Sequence, residues 1–127
     1  MGMVLDSTVV IGAERAGRNP SEMIEEIAAL WGDTKVILSV ITVLELAHGI
    51  ARADSAQRRT TRERFVEELL NEIPVENVAV PIAFSAGRLD GRLRAIGLQV
   101  ALGDLLIGAT ALELGYAVLT HNVAISS

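Results

Sequence analysis

A chain of 127 residues with a formal charge of −5 and no cysteine has the size of one ordinary domain. Disulfides, thiolate metal sites and cysteine catalysis are excluded. The balance of 16 acidic against 11 basic residues excludes a general nucleic-acid coat, because phosphate binding runs on surplus positive charge.

Residues 3–5, Met-Val-Leu, read as a short buried strand that ends at Asp6. Residues 7–16 read as a helix, with Gly17 suited to its C-terminal stop. Asn19-Pro20 opens a second helix. Asn19 is its N-cap, Pro20 its first helical residue and Glu22 the partner in a capping box, and it runs to about Trp31. Residues 35–38 form a second buried strand. Residues 39–53 are helical, with apolar positions at Val40, Val43, Leu44, Ala47 and Ile50. Residues 57–71 make an amphipathic helix rich in Arg and Glu. A third strand is expected over 74–80, a helix over 81–96 closed by Gly97, a short apolar helix over 104–114 closed by Gly115, and a last strand over 116–120.

Strands and helices alternate, and the strands are apolar throughout. That pattern predicts an α/β fold of three layers, α/β/α, with a central parallel sheet covered on both faces, as one domain over residues 1–127. Sites in such sheets form beyond the carboxyl ends of the strands. No targeting segment is visible, and the apolar runs 36–44 and 116–125 are too short to span a membrane. A cytoplasmic protein is expected. A mean hydropathy of +0.41 with no membrane span points to a buried oligomer or partner surface.

Three acids stand at apolar entries to elements that share one sheet edge: Asp6, Glu45 and Asp104. Each has a bland explanation. Asp6 and Asp104 are good helix N-caps, and Thr42-Val-Leu-Glu45 matches a capping box. Jointly they suggest more. Carboxylates brought together repel unless a cation intervenes. An all-oxygen set, with no cysteine and two histidines, points to Mg²⁺ or Mn²⁺ rather than Zn²⁺. Glu45-Leu-Ala-His48 resembles half of a di-iron motif, but no second copy exists. His48 is expected to be structural. Arg52, Arg58, Arg59, Arg62 and Arg64 are expected to be a solvated helix face with intrahelical ion pairs.

The runs Val4-Leu-Asp6-Ser-Thr8, Ser39-Val-Ile-Thr-Val-Leu-Glu45-Leu-Ala-His-Gly49, Gly103-Asp-Leu-Leu-Ile-Gly-Ala-Thr-Ala-Leu112 and Val118-Leu-Thr-His-Asn122 together resemble a PIN domain. Within that superfamily the chain is similar to the VapC-type toxins of bacterial toxin–antitoxin pairs. The resemblance implies a Mg²⁺- or Mn²⁺-dependent endoribonuclease that cuts tRNA or ribosomal RNA, leaves 5′-phosphate and 3′-hydroxyl ends and arrests translation. By match, Asp6, Glu45 and Asp104 are the metal-binding acids, and Ser7 and Thr120 occupy supporting hydroxyl positions. Asp90 falls where related toxins carry another acid, and Asn122 takes the place of the fourth acid. The resemblance also implies a VapB-type antitoxin, an RNA substrate and a homodimer. Family members continue past the Asn with an acidic or His residue, then Phe and a further segment, whereas Val-Ala-Ile-Ser-Ser127 stands here. A truncated or frameshifted ending is the expectation, and it sets full catalytic competence in question. Two alternatives stay open: an impaired PIN-like interaction module whose acids merely cap helices, and a phosphatase with Asp6 as covalent nucleophile.

Overall fold

The structure, a computed structural model, describes residues 2–120 and 123–125. Strands β1 (Gly2–Leu5), β2 (Lys35–Ser39), β3 (Val75–Glu76), β4 (Ala117–Thr120) and β5 (Val123–Ile125) form one sheet in the order β3-β2-β1-β4-β5. The first four are parallel, and β5 adds to β4 antiparallel. Six helices accompany them: α1 (Ser7–Arg15), α2 (Pro20–Trp31), α3 (Val40–Ala51), α4 (Ala56–Glu72), α5 (Val80–Ala95) and α6 (Leu102–Leu114).

The alternation of side chains along β1 divides the core. Met3 and Leu5 join Leu38, Ala117 and Leu119 on one face, under Val9 and Val10 of α1, Met23 and Ile27 of α2, and Phe65 and Leu69 of α4. Val4 points the other way with Ile37, against Ile107 and Ala111 of α6. A third cluster joins Ile82 and Ala86 of α5 to Leu105 and Ala109 of α6. Val4 and Leu5 are both fully buried, as expected for a strand with neighbours on both sides and helices on both faces. The three-layer α/β/α reading therefore holds.

Most helix boundaries match the sequence signals closely. Asn19 accepts from Glu22 N–H while Glu22 accepts from Asn19 N–H, a complete capping box. Four expectations need correction. The third strand is only two residues, not 74–80. Its partner β2 ends at Ser39, which turns away to cap α3, so the ladder runs out after Glu76. The helix expected at 81 begins at Val80, which leaves Pro81 in the first turn, where a missing N–H costs nothing. Glu45 closes no capping box. The cap of α3 is Ser39, whose Oγ accepts from Ile41 N–H at 3.1 Å, and Thr42 inside the helix instead donates to Leu5 O at 3.4 Å. Finally, α6 starts at Leu102 with Ala101 as an N-cap that offers no side-chain bond, so Asp104 lies within the first turn rather than capping it. β5, after the strand expected to be last, is the one antiparallel member of the sheet.

Gly2 is a packing requirement. A Cβ there would lie 2.5 Å from Cε2 and Cζ of Tyr116. Gly2→Ala is expected to lower stability in urea unfolding by about 1–3 kcal/mol. In a Tyr116→Ala background the same change should cost clearly less. An equal loss in both backgrounds would exclude the ring contact as the cause.

Candidate functional site

The parallel strands bring three chain segments to one edge. Asp6 directly follows β1, Ser39 leads from β2 into α3, and Thr120 ends β4. Because α6 feeds β4, its N-terminal turn lies at the same edge and carries Asp104 there.

Asp6 is the most constrained of the acids. Its backbone N–H donates to Leu119 O at 2.9 Å, extending the β1–β4 ladder by one residue. Oδ1 accepts from Ser7 N–H at 2.9 Å, the N-cap bond of α1. Oδ2 lies 2.9 Å from Thr8 Oγ1 and 3.0 Å from Thr120 Oγ1, and the two hydroxyls are 3.1 Å apart. Two hydroxyl protons serve three contacts, so one contact is always without a proton of its own. The bland capping role of Asp6 is real, and the second oxygen is held independently of it.

Glu45 lies on the second turn of α3, half-buried among apolar neighbours. Its Oε1 is buried without a hydrogen-bond partner. Burial pushes its carboxyl above the ordinary value of 4.5, the charges of Asp6 and Asp104 push it further in the same direction, and a hydrogen bond from the Ser7 side chain opposes them. Glu45 thus feels both other acids, and no basic side chain is among the charges that act on it. Asp104 is exposed in the first turn of α6, where the helix dipole favours a negative charge.

The structure accordingly brings Asp6, Glu45 and Asp104 into one electrostatic neighbourhood, with Ser7 on Glu45 and Thr120 on Asp6. Among the described residues, no three His, Asp or Glu side chains close to the separation of a finished ligand shell. Three like charges with no basic side chain between them are expected to hold apart. The donor set nevertheless fits a hard divalent cation: all oxygen, one buried oxygen unpartnered, and like charges uncompensated. Asp90 stands apart from this group. Its Oδ2 pairs with Arg94 Nε at 2.9 Å on α5, and it does not act on Glu45. Asn122 lies outside the described residues. Thr8 was not singled out from the sequence as a supporting residue; the signal was its place in the Asp-Ser-Thr run, two residues from the acid it bonds. His48 is exposed at the end of α3 rather than structural in the core. Arg58 pairs with Asp54, which precedes α4, and Arg62 donates to Gly49 O, so among the described residues the arginine run does not make the intrahelical ion pairs expected of it.

The family model of the PIN domain matches residues 3–126. Ribonuclease VapC1 of Rickettsia felis is 24% identical over 124 residues, which cover 97% of this chain and 87% of that protein. The fold is similar to that in the crystal structure of VapBC2 from Rickettsia felis bound to a promoter DNA fragment, with a TM-score of 0.81 and 20% identity over 96% of this chain and 88% of that one. It is also similar to VapBC-5 from Mycobacterium tuberculosis, a member of the VapBC family of toxin–antitoxin systems. There the TM-score is 0.74 and the identity 27% over 96% of this chain and 86% of that one. No helix among the described residues is long and apolar enough to cross a membrane.

The raised carboxyl of Glu45 has a sign that can be tested in EDTA. The folded protein holds the proton more tightly than the unfolded chain, so stability falls as pH rises above about 4.5. Glu45→Gln mimics the protonated form. It is expected to melt higher than the parent at pH 7, with the advantage closing as pH falls toward 4.5. A constant difference across that range would assign the effect to packing instead.

Proposed function

Because the chain belongs to the PIN domain family, matched from residue 3 to residue 126, we propose that it is a divalent-metal-dependent endoribonuclease acting as a single domain, the toxin of a type II toxin–antitoxin pair. The observation that carries this reading is the joint behaviour of Asp6, Glu45 and Asp104, in which a buried Glu45 oxygen is left without a partner beside two further carboxylates. The relatives named ribonucleases support the activity. tRNA or ribosomal RNA is the proposed substrate, cut in the cytoplasm to arrest translation.

Asp6, Glu45 and Asp104 would hold Mg²⁺ or Mn²⁺. The ion, when bound, supplies the positive charge and Lewis acidity that phosphodiester hydrolysis needs at neutral pH. The chain's own residues set where that chemistry happens. Thr8 and Thr120 fix Oδ2 of Asp6, and the α1 N-terminus fixes Oδ1, so this carboxylate meets a ligand in one orientation. The Ser7 hydroxyl favours the charged form of Glu45, and the buried Oε1 of Glu45 is an acceptor with no prior engagement. Asp104, exposed in the first turn of α6, supplies the third carboxylate. Asn122 takes the fourth position in this proposal, orienting a water or a phosphate oxygen, and Asp90 is an outer acid available once its ion pair with Arg94 opens. The donors already on both oxygens of Asp6 support a ligand role over a covalent nucleophile.

Two partners complete the proposal. A VapB-type antitoxin is supported by the VapBC complexes that share this fold. A homodimer is supported by apolar side chains that α5 leaves in solvent. Val80 and Phe84, one turn apart, are 70% and 65% exposed, and Ile96, just past the helix, is 72% exposed.

Purified chain incubated with bulk tRNA and Mn²⁺ is expected to cleave it, and EDTA, Asp6→Asn or Asp104→Asn is expected to abolish the cleavage. Thr120→Val should leave the fold intact and lower the rate about 10–100-fold. A parent chain that never cleaves RNA with Mn²⁺ at any concentration would remove the nuclease reading and leave the interaction module. For the dimer, Phe84→Glu should shift sedimentation from dimer to monomer at micromolar concentration, and an unchanged profile would place the interface elsewhere.

A further inference from the structure

We propose that Arg15, Arg52 and Arg62 hold the phosphate backbone of the RNA strand beside the bond that is cut; this rests on the ribonuclease reading. The three arginines line a cavity of about 340 Å³ between α1, α3 and α4, and Glu45 forms part of the same wall. That volume lies within the range of small-ligand pockets. One boundary of the cavity is therefore the acid of the candidate site, and a strand engaged there runs on from it.

Their ionic state supports an external anion. The ion pairs among the described residues occupy Arg18, Arg58 and Arg94, and none involves a cavity arginine. Glu45 and Glu14 line the cavity, yet neither pairs with them. No arginine is among the charges acting on Glu45, so their heads are not spent on the site's own acid. Arg62 donates through Nη1 to Gly49 O near the end of α3, which anchors its guanidinium at one nitrogen, and its Nε and Nη2 have no partner among the described residues. A guanidinium fork of this kind matches phosphate oxygens in pairs.

The cavity also indicates which part of the strand is held. Its aromatic residue, Phe65, is only 9% exposed and packed in the core, so no ring face is offered to a base. Arginines without a stacking platform grip the backbone and position it without reading sequence. For a chain of net charge −5 this is where local positive potential can draw in a polyanion.

The test is fluorescence anisotropy of a mixed-sequence single-stranded RNA with the full chain in EDTA, across a salt series. Each of Arg15→Gln and Arg52→Gln should reduce the slope of log affinity against log salt by about 0.7. Arg92→Gln on α5, an equal charge change outside the cavity, should leave it unaltered. With Mn²⁺, the same cavity variants should raise KM while kcat holds. Unchanged slopes for the cavity variants, an equal loss with Arg92→Gln, or no RNA binding by the parent would each overturn the proposal. In the first case the cavity is left to a protein segment. The two readings fail separately. A parent that cleaves but ignores the arginines defeats this proposal alone, and one that binds through them without cleaving defeats the activity alone.

Discussion

β1 is the constraint on which the acidic edge depends. Its four residues are buried, paired with β2 on one side and β4 on the other, and covered by helices on both faces. A strand held in four directions has no register freedom, because a slip of one residue would exchange Val4 with its neighbours on the opposite face. Asp6 leaves the sheet immediately after this strand, and its N–H still bonds to Leu119. The position of the first carboxylate is therefore set by the core and not by a loop.

The electrostatics follow from that placement. α3 and α6 approach the same edge from β2 and toward β4, so they deliver Glu45 and Asp104 near a charge that cannot move away. The response appears in Glu45: burial and the two neighbouring charges raise its carboxyl, and its buried Oε1 is unpartnered. An apolar core would gain stability by replacing it. Retaining it leaves an acceptor available at the edge.

The architecture was legible because each parallel strand is apolar throughout and each helix carries its own punctuation, such as Asn19-Pro20 before α2 and Gly115 after α6. What failed was local chemistry decided by distant neighbours. The stretch 74–80 has strand composition, but a strand also needs a partner, and Ser39 had already left the sheet. Asp104 and Glu45 both fit capping patterns, yet the helices began earlier than those patterns imply. The acids themselves were readable as apolar-flanked carboxylates. The bonds that hold them, such as Thr120 to Asp6 across 114 positions, were visible only as family positions, and the arginine-lined cavity not at all.

That long-range bond bears on how the protein is made. Asp6 is synthesised 114 positions before Thr120, the residue that donates to it. Until β4 has been synthesised and docked beside β1, the carboxylate lacks one of its donors and the N–H of Asp6 lacks its acceptor. Domains fold as units as they emerge, and here the unit cannot assemble its acidic edge from any N-terminal fragment short of residue 120. Until residue 120 has emerged, a nascent chain is thereby kept without an ordered centre.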